Sequence, residues 1–214
     1  MVRALLVVLV LLPLLAGCKP GDEALTLPAA DKTGSLSLEA VLAKRRSARQ
    51  FTRAALTREQ IGQLLWAAQG VTGNRGYRTA PSAGALYPLE VYVATRAGVF
   101  RYVPRDHRLA PVAERDVRAA LHRAALSQEA VQSAPAVFVI AADYARTRRK
   151  YGGRAERYAH LEAGHAAQNL LLQATALGLA GVPIGAFTDG EVQRVLGCSS
   201  AHAPLYVIPV GTAR

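Results

Sequence analysis

The sequence predicts an α+β fold, because helical and strand patterns are both present in its 214 residues but do not alternate as regular βαβ units. Apolar residues at helical spacing predict helices at residues 37–46, 58–69, 115–127, 157–179 and 189–196. Runs rich in Val, Ile, Tyr and Phe predict strands at residues 89–95, 99–103, 136–143 and 205–210.

Several of these elements have explicit ends. Thr57 and Thr188 each stand three residues before a glutamine or glutamate, which is the spacing of a helix-capping box. Gly181 and Gly197 suit the C-terminal turns of the helices before them. The first two strands are close enough to form a hairpin through residues 96–98.

The N-terminus is typical of an exported precursor. Arg3 precedes the apolar run 4–15, which is shorter than the roughly 20 residues of a membrane-spanning helix, so residues 1–17 are predicted to be a signal peptide. The L-A-G-C sequence that ends at Cys18 resembles the bacterial lipobox, which implies lipidation of Cys18. Lys19, rather than an aspartate, implies the periplasmic face of the outer membrane. A plain secretory signal with an incidental cysteine is the alternative.

The rest of the chain divides into a tether and one domain. Residues 18–35 are rich in Pro, Gly, Ala, Asp and Lys without a sustained period, which predicts a lipid anchor and flexible tether. Residues 36–214 have the length of one domain.

The formal charge of +11 favours an anionic partner. Basic residues are dispersed apart from clusters at 44–49 and 146–157, and no aromatic platform is interleaved with them. We therefore expect no nucleic-acid partner. An anionic cofactor or headgroup fits two local clusters better.

A polar stripe crosses the predicted helix 157–179. Glu162, His165 and Asn169 share one of its faces, so they must meet polar partners inside the protein or line a ligand cavity. A single E-x-x-H is too little for a two-metal site, so no metal is predicted. The sequence also lacks G-x-G-x-x-G after a strand and the P-loop motif.

Three further segments suit an anionic, flat ligand. The arginine segment (residues 45–49, R-R-S-A-R) offers guanidinium and hydroxyl donors. The proline–serine loop (residues 80–88, A-P-S-A-G-A-L-Y-P) has small side chains that let backbone approach a ligand closely. The glycine–alanine loop (residues 181–187, G-V-P-I-G-A-F) could expose backbone N–H groups. A solvated helix end and ordinary turns are the alternatives.

Together and in this order, these segments resemble the nitroreductase family of FMN-dependent oxidoreductases over residues 38–211. The motifs P-S-A-G-A-L-Y-P, K-Y-G, E-A-G-H-A-A-Q-N-L and P-L-Y-V-I-P-V-G are similar to its SagB-type branch, which includes the azoline dehydrogenases. The resemblance implies a central, mostly antiparallel sheet flanked by helices. It also implies a homodimer with two shared FMN sites, each built from both chains.

The resemblance implies three groups of FMN-contacting residues. They are Arg45, Arg46, Ser47 and Arg49 at the phosphate, ribityl chain and N1/C2 edge; Pro81, Ser82, Ala83 and Gly84 from the partner subunit; and the backbone of Gly185 and Ala186 facing N5. The sequence departs from the family pattern after Gly211, and there Arg214 is expected to be the terminal cation for the phosphate. A cation near N1 stabilises reduced flavin electrostatically.

Lys150 and Tyr151, the lysine–tyrosine pair, match the residues that the azoline-dehydrogenase branch uses to remove a substrate proton. A solvated basic loop without such a role is the alternative. The expected function is an FMN-dependent oxidoreductase that transfers hydride through flavin N5 to or from a small-molecule or peptide substrate. The alternatives are an NAD(P)H-dependent nitro or quinone reductase and a non-catalytic, lipid-anchored flavin- or ligand-binding module.

Overall fold

Seven strands form one sheet in the computed structural model, which describes residues 25–214. The strands are β1 (Leu25–Thr26), β2 (Leu89–Thr95), β3 (Gly98–Val103), β4 (Arg108–Ala113), β5 (Ala136–Asp143), β6 (Ala180–Gly181) and β7 (His202–Gly211). Their order across the sheet is β1-β4-β3-β2-β5-β7-β6, and all six neighbouring pairs are antiparallel. The predicted α+β class and antiparallel sheet are confirmed.

Helices cover both faces of this sheet. They are α1 (Leu38–Lys44), α2 (Arg58–Gln69), α3 (Arg118–Ala124), α4 (Glu129–Ser133), α5 (Tyr144–Tyr151), α6 (Ala155–Ala176) and α7 (Asp189–Leu196). Thr57 forms the predicted capping box with the glutamine at the third position of α2. Thr188 precedes α7 as predicted, but its side chain makes no capping hydrogen bond. Gly197 ends α7 in the left-handed region, at φ 69°.

Strand β5 lies at the centre of the core and is buried on both faces. Phe138 and Ile140 pack with α2 and α6 in one cluster, whereas Val137 and Val139 pack with α3 and α7 in the other. Alternate residues of a strand point to opposite faces of the sheet. This explains why β5 is an uninterrupted apolar run instead of alternating apolar and polar residues.

Two predicted helices have different boundaries in the structure. The long helix ends at Ala176, and Gly178, at φ 71°, takes the left-handed position that was predicted for Gly181. Gly181 instead pairs with Val210 in the sheet. The helix predicted at residues 115–127 is shorter, because the chain turns through left-handed residues 126–127 before α4 begins.

Two segments were predicted without regular structure but belong to the folded domain. Strand β4 was not predicted, because Pro111 lacks a backbone donor and proline is unusual inside a strand. In the structure, β4 nevertheless pairs with β3. Residues 25–35 were predicted to be tether, but Leu27 is buried at 4% exposure and the backbone N–H of Asp31 donates to Gln63 Oε1 at 2.9 Å. The folded domain therefore begins before residue 36.

The basic stretch that carries the lysine–tyrosine pair was predicted to be a loop, but it forms helix α5. The Asp143 side chain accepts a hydrogen bond from the N–H of Ala145 at 3.1 Å and caps the helix start. Arg and Lys are also good helix formers. The lysine–tyrosine pair therefore lies at a helix end.

The predicted signal peptide and the lipidation of Cys18 lie outside the described residues and stay predictions. Among residues 25–214, no helix is both long enough and apolar enough to cross a membrane.

Candidate functional site

The arginine segment lies along β6 and the C-terminus. Ser47 forms a parallel bridge with Gly181, and the N–H of the next residue donates to the Gly181 carbonyl at 3.3 Å. Further on, the N–H of Arg214 donates to the Gln50 carbonyl at 3.2 Å. The structure therefore brings the backbone of Arg214 beside the end of the arginine segment.

The guanidinium groups of this segment have no acidic partner within 4.0 Å among residues 25–214. Arg46 and Arg49 are exposed and Arg45 is half-buried. Arg46 Nη1 donates to the carbonyls of Ala43 at 3.2 Å and Arg45 at 2.7 Å. Uncompensated guanidinium groups beside a sheet edge suit a phosphate.

The glycine–alanine loop leaves the sheet next to this segment. Ile184 pairs with Val207, and Gln128 Nε2 donates to the Ala186 carbonyl at 2.8 Å. The N–H groups of Gly185 and Ala186 make no hydrogen bond within the described part of the chain. A Cβ built on Gly185 would meet no atom within 4 Å. These open, exposed donors fit the acceptor edge of a flavin.

The proline–serine loop contains a short 3₁₀ turn, Ala83–Ala85, and is braced by Ser82, whose Oγ accepts from the N–H of Tyr87 at 2.9 Å. Gly84 has φ +62°. A Cβ at this position would lie 2.8 Å from Tyr151 Oη and 3.0 Å from Lys150 Nζ. The absence of a side chain at Gly84 therefore lets the lysine–tyrosine pair touch the loop.

Helix α5 is fixed to this loop by an ion-pair network that the sequence did not predict. Arg146 Nη1 donates to the Tyr87 carbonyl at 3.1 Å, and its guanidinium pairs with Glu90 and, at 3.2 Å, with Asp143. Glu90, whose side chain is 8% exposed, also pairs with Arg101 at 3.1 Å. The signal for this network in the sequence was Glu90, an acidic residue inside the apolar strand L-E-V-Y-V, because a buried carboxylate needs a charged or hydrogen-bonding partner.

Glu162 lies beneath the proline–serine loop and is 3% exposed. Burial raises the pKa of Glu162 to about 7, against opposing contributions from Ser82, Arg78 and Gln69. Neither Glu162 Oε1 nor Gln69 Nε2 has a hydrogen-bond partner of standard geometry among the described residues. Arg78 Nη1 donates to Gln69 Oε1 at 2.7 Å, and the Arg78 guanidinium lies 4.5 Å above the Tyr87 ring.

The predicted polar stripe on α6 is divided between interior and surface. Glu162 is buried and Asn169 Nδ2 donates to the Thr79 carbonyl at 3.2 Å, so both support the proline–serine loop or the residues before it. His165 is exposed. Glu162 therefore lies in the interior as predicted, whereas His165 does not.

The two halves of the predicted site lie at opposite ends of the sheet. The N–H of Asp143 donates to the Pro88 carbonyl at 2.8 Å, so the proline–serine loop ends where β5 reaches the start of β7. Gly181, beside the arginine segment, pairs with Val210 at the other end of β7. Pairing positions 203 and 210 are about 23 Å apart along the strand. Among residues 25–214, no hydrogen bond or ion pair joins the two halves.

The sequence profile described as Nitroreductase family matches residues 42–212. The chain belongs to the nitroreductase family. Members of this family are oxidoreductases that generally bind a flavin, and the free cations and N–H donors described above fit such a cofactor.

Three proteins illustrate the similarity. A protein of Methanocaldococcus jannaschii named as a nitroreductase is 46% identical over 182 residues, 82% of this chain and 91% of that protein. A crystal structure of a Ralstonia eutropha protein, also named as a nitroreductase, has a TM-score of 0.82, with 29% identity and 92% of each chain covered. A chain of the E. coli microcin synthetase McbBCD complex with truncated pro-MccB17 bound has a TM-score of 0.69 and 25% identity, covering 91% of this chain and 79% of that one.

Proposed function

We propose that this nitroreductase-family protein is an FMN-dependent oxidoreductase that works as a homodimer. The observation that carries this proposal is the arrangement of the arginine segment and the glycine–alanine loop. Among residues 25–214, cations without an acidic partner lie beside Gly181 at the start of the glycine–alanine loop, and the same loop goes on to expose the unbonded N–H groups of Gly185 and Ala186. This is the combination of donors that a phosphorylated flavin requires.

Each group has a distinct role in this proposal. Arg45, Arg46 and Arg49, with Arg214, hold the phosphate and the N1/C2 edge of the cofactor. The N–H groups of the glycine–alanine loop donate to its N5 side. Bound FMN supplies two-electron hydride chemistry at N5, and the protein supplies orientation and electrostatics.

The lysine–tyrosine pair is the proposed proton-transferring group. Both side chains reach the same side of Gly84, and Lys150 is exposed while Tyr151 is half-buried. Helix α5, held by its ion pairs to β2, keeps the two polar atoms beside the loop. A general acid or base must lie within hydrogen-bonding reach of its substrate, and this placement at the loop surface allows that reach.

A second copy of the chain completes the site in this proposal. The proline–serine loop lies about 23 Å along β7 from the sheet position beside the arginine segment, and we infer from this separation that the two contact different flavins. A two-fold dimer would place the loop of each subunit against the cofactor held by the other.

We propose the SagB-type branch as the subtype. Support comes from the contact between the lysine–tyrosine pair and the proline–serine loop, and from the likeness to the E. coli microcin synthetase complex, which has a peptide bound. A peptide or small molecule that itself delivers hydride to the flavin then replaces NAD(P)H as electron donor. Stopped-flow mixing with NADPH tests this point, because rapid flavin reduction by NADPH favours the nitro or quinone reductase alternative.

The first experiment is to purify the protein, record its visible spectrum, identify any released cofactor and measure its mass by light scattering. About one FMN per chain on a dimer supports the proposal. A colourless monomer that does not take up added FMN contradicts it and favours the non-catalytic binding module.

Substitutions then separate cofactor binding from turnover. Lys150→Gln and Tyr151→Phe are expected to retain FMN but to lose most activity. Lys32→Gln is the matched control, since Lys32 is exposed and its segment packs on α2, away from α5. Full activity in both pair variants would contradict the proton-transfer role.

We also propose export and lipid anchoring through Cys18. Membrane fractions should contain the wild-type protein, while Cys18→Ser should shift it to the soluble periplasmic fraction. Mass spectrometry of the N-terminal peptide should find the lipid. An unmodified Cys18 in a mature protein would contradict this proposal.

A further inference from the structure

A cluster of exposed cations surrounds the end of α5 and the start of α6. We call it the basic ridge, and its members are Arg149, Lys150, Arg154 and Arg157, all exposed. None has an acidic partner within 4.0 Å among residues 25–214. Residues 144–157 contain one acid, Glu156, and it pairs with Arg148 at 3.1 Å.

This charge is concentrated by the local fold. The chain turns at Gly152, with φ +53°, and passes through the 3₁₀ turn Gly152–Arg154 into α6. The turn places the last residues of one helix beside the first residues of the next, so the four cations repel one another. An anion at this surface would relieve that repulsion.

The basic ridge leads to the proposed reaction centre. Lys150 is a member of the ridge and its Nζ lies 3.0 Å from the Cβ position of Gly84. Tyr151 Oη lies 2.8 Å from the same point. An anion drawn to the ridge therefore arrives beside the lysine–tyrosine pair.

The ridge offers charge with little apolar docking area, because Leu161, at 53% exposure, is the one large apolar side chain exposed within residues 144–165. The aromatic residues of 144–157, Tyr144 and Tyr151, are half-buried and pack on His160 and Tyr158 of α6. An interfacial membrane helix needs a broad apolar face next to its cations, and single-strand nucleic-acid sites use exposed aromatic platforms. A small anionic group fits this surface better than either.

We propose that the basic ridge selects substrates that carry a carboxylate and guides them to the lysine–tyrosine pair. This inference rests on the proposed oxidoreductase function and adds a substrate class to it. The recognition is electrostatic, so it weakens as salt screens exposed charges over a Debye length of about 10 Å at 0.1 M. At low salt, we expect a substrate with a carboxylate to bind roughly fivefold more tightly than an uncharged analogue, because the charge speeds association and strengthens binding.

The test compares 4-nitrobenzoate with 4-nitrobenzamide, which share a nitroaromatic ring and differ in charge. Binding of each probe to the FMN-loaded protein is measured by equilibrium dialysis at 10 and 200 mM salt. Reactivity is measured separately, by mixing each probe with dithionite-reduced protein and following flavin reoxidation. In that reaction the nitro group takes two electrons and two protons, becomes a nitroso group and releases water.

Two double variants with the same change in net charge provide the control. Arg149→Gln with Arg154→Gln removes half of the ridge and leaves Lys150 in place. Arg105→Gln with Arg115→Gln removes two exposed arginines that flank β4, neither of them ion-paired among the described residues. We expect the roughly fivefold preference for 4-nitrobenzoate to disappear in the first variant and at 200 mM salt, but to persist in the second.

The outcomes separate this inference from the proposed function. Equal binding of the two probes, or an equal loss of preference in both double variants, would overturn carboxylate selection even if both probes reoxidise the flavin. Selective binding of 4-nitrobenzoate with no flavin reoxidation by either probe would support the ridge as a carboxylate site and contradict only the nitroreductase alternative. The oxidoreductase function is contradicted separately, by a purified protein that takes up no FMN.

Discussion

The buried carboxyl of Glu162 is expected to make this protein less stable as the pH rises. Burial raises the pKa of Glu162 from 4.5 to about 7 in the folded chain. Because one pKa unit corresponds to about 1.4 kcal/mol, keeping this group ionised in the folded state costs on the order of 3 kcal/mol. The residue is 3% exposed, so solvent screens little of this effect.

The sign follows from which state holds the proton. Below pH 4.5 the carboxyl is protonated in both states, and its contribution to stability is fully present. Between pH 4.5 and about 7 the unfolded chain releases the proton while the folded chain keeps it. The free energy of unfolding therefore falls by about 1.4 kcal/mol per pH unit, and the loss is complete above pH 7.

Glu162→Gln removes the titration while keeping the size of the side chain. The free energy of unfolding of the variant minus that of wild type should rise by on the order of 3 kcal/mol from pH 4.5 to pH 8, whatever this difference is at pH 4.5. The assay is urea unfolding at several pH values, with protein and FMN concentrations fixed because ligand and subunit binding change apparent stability.

Glu156→Gln is the matched control, because Glu156 is exposed on the same helix. The pH-dependent gain of Glu162→Gln should clearly exceed that of Glu156→Gln over this range. If the two variants show the same change with pH, Glu162 does not hold its proton through burial and the reasoning is refuted.

Three other substitutions have expected outcomes. Gly84→Ala forces a Cβ against the lysine–tyrosine pair and should lower both turnover and the free energy of unfolding. Its control is Gly76→Ala, because Gly76 has a similar positive φ but no atom within 4 Å of its Cβ position, so this variant should lose only the backbone strain of about 1–2 kcal/mol. Activity and urea-unfolding midpoints distinguish the two variants. Glu90→Gln leaves two arginines without their shared anion and should lower the free energy of unfolding by about 2 kcal/mol. Its control is Asp106→Asn, which removes an exposed ion pair and should change the free energy of unfolding by less than about 1 kcal/mol in the same assay. Arg49→Ala should lower the flavin midpoint potential by tens of millivolts, about 30 mV for each 1.4 kcal/mol of lost stabilisation; an unchanged midpoint in a variant that still binds FMN would contradict a position near N1.

The sequence determined the fold class and the motifs because these depend on local patterns. The apolar runs of β2, β5 and β7, the Thr57 capping box and the Gly197 helix end all follow from residues close together in the chain. The same is true of the proline–serine loop and the arginine segment, because their composition alone favours contact with a ligand.

Tertiary structure decided the features that depend on distant partners. Helix α5 looked like a loop because its cations carry no apolar pattern, and its ion pairs with Glu90 and Asp143 are not visible in the sequence. Strand β4 contains a proline and is recognisable only from its pairing with β3. Residues 25–35 look like a tether until Leu27 is seen in the core.

The protonation of Glu162 and the division of the site also needed the structure. The sequence marks Glu162 as one of three polar residues on a helix face, but only its burial beneath the proline–serine loop shows that its pKa is raised. The arginine segment and the lysine–tyrosine pair are both present in the sequence, but the antiparallel path of β7 separates them. A sequence specifies which chemical groups exist, whereas the desolvation of a group and its distance from another depend on how the whole chain packs.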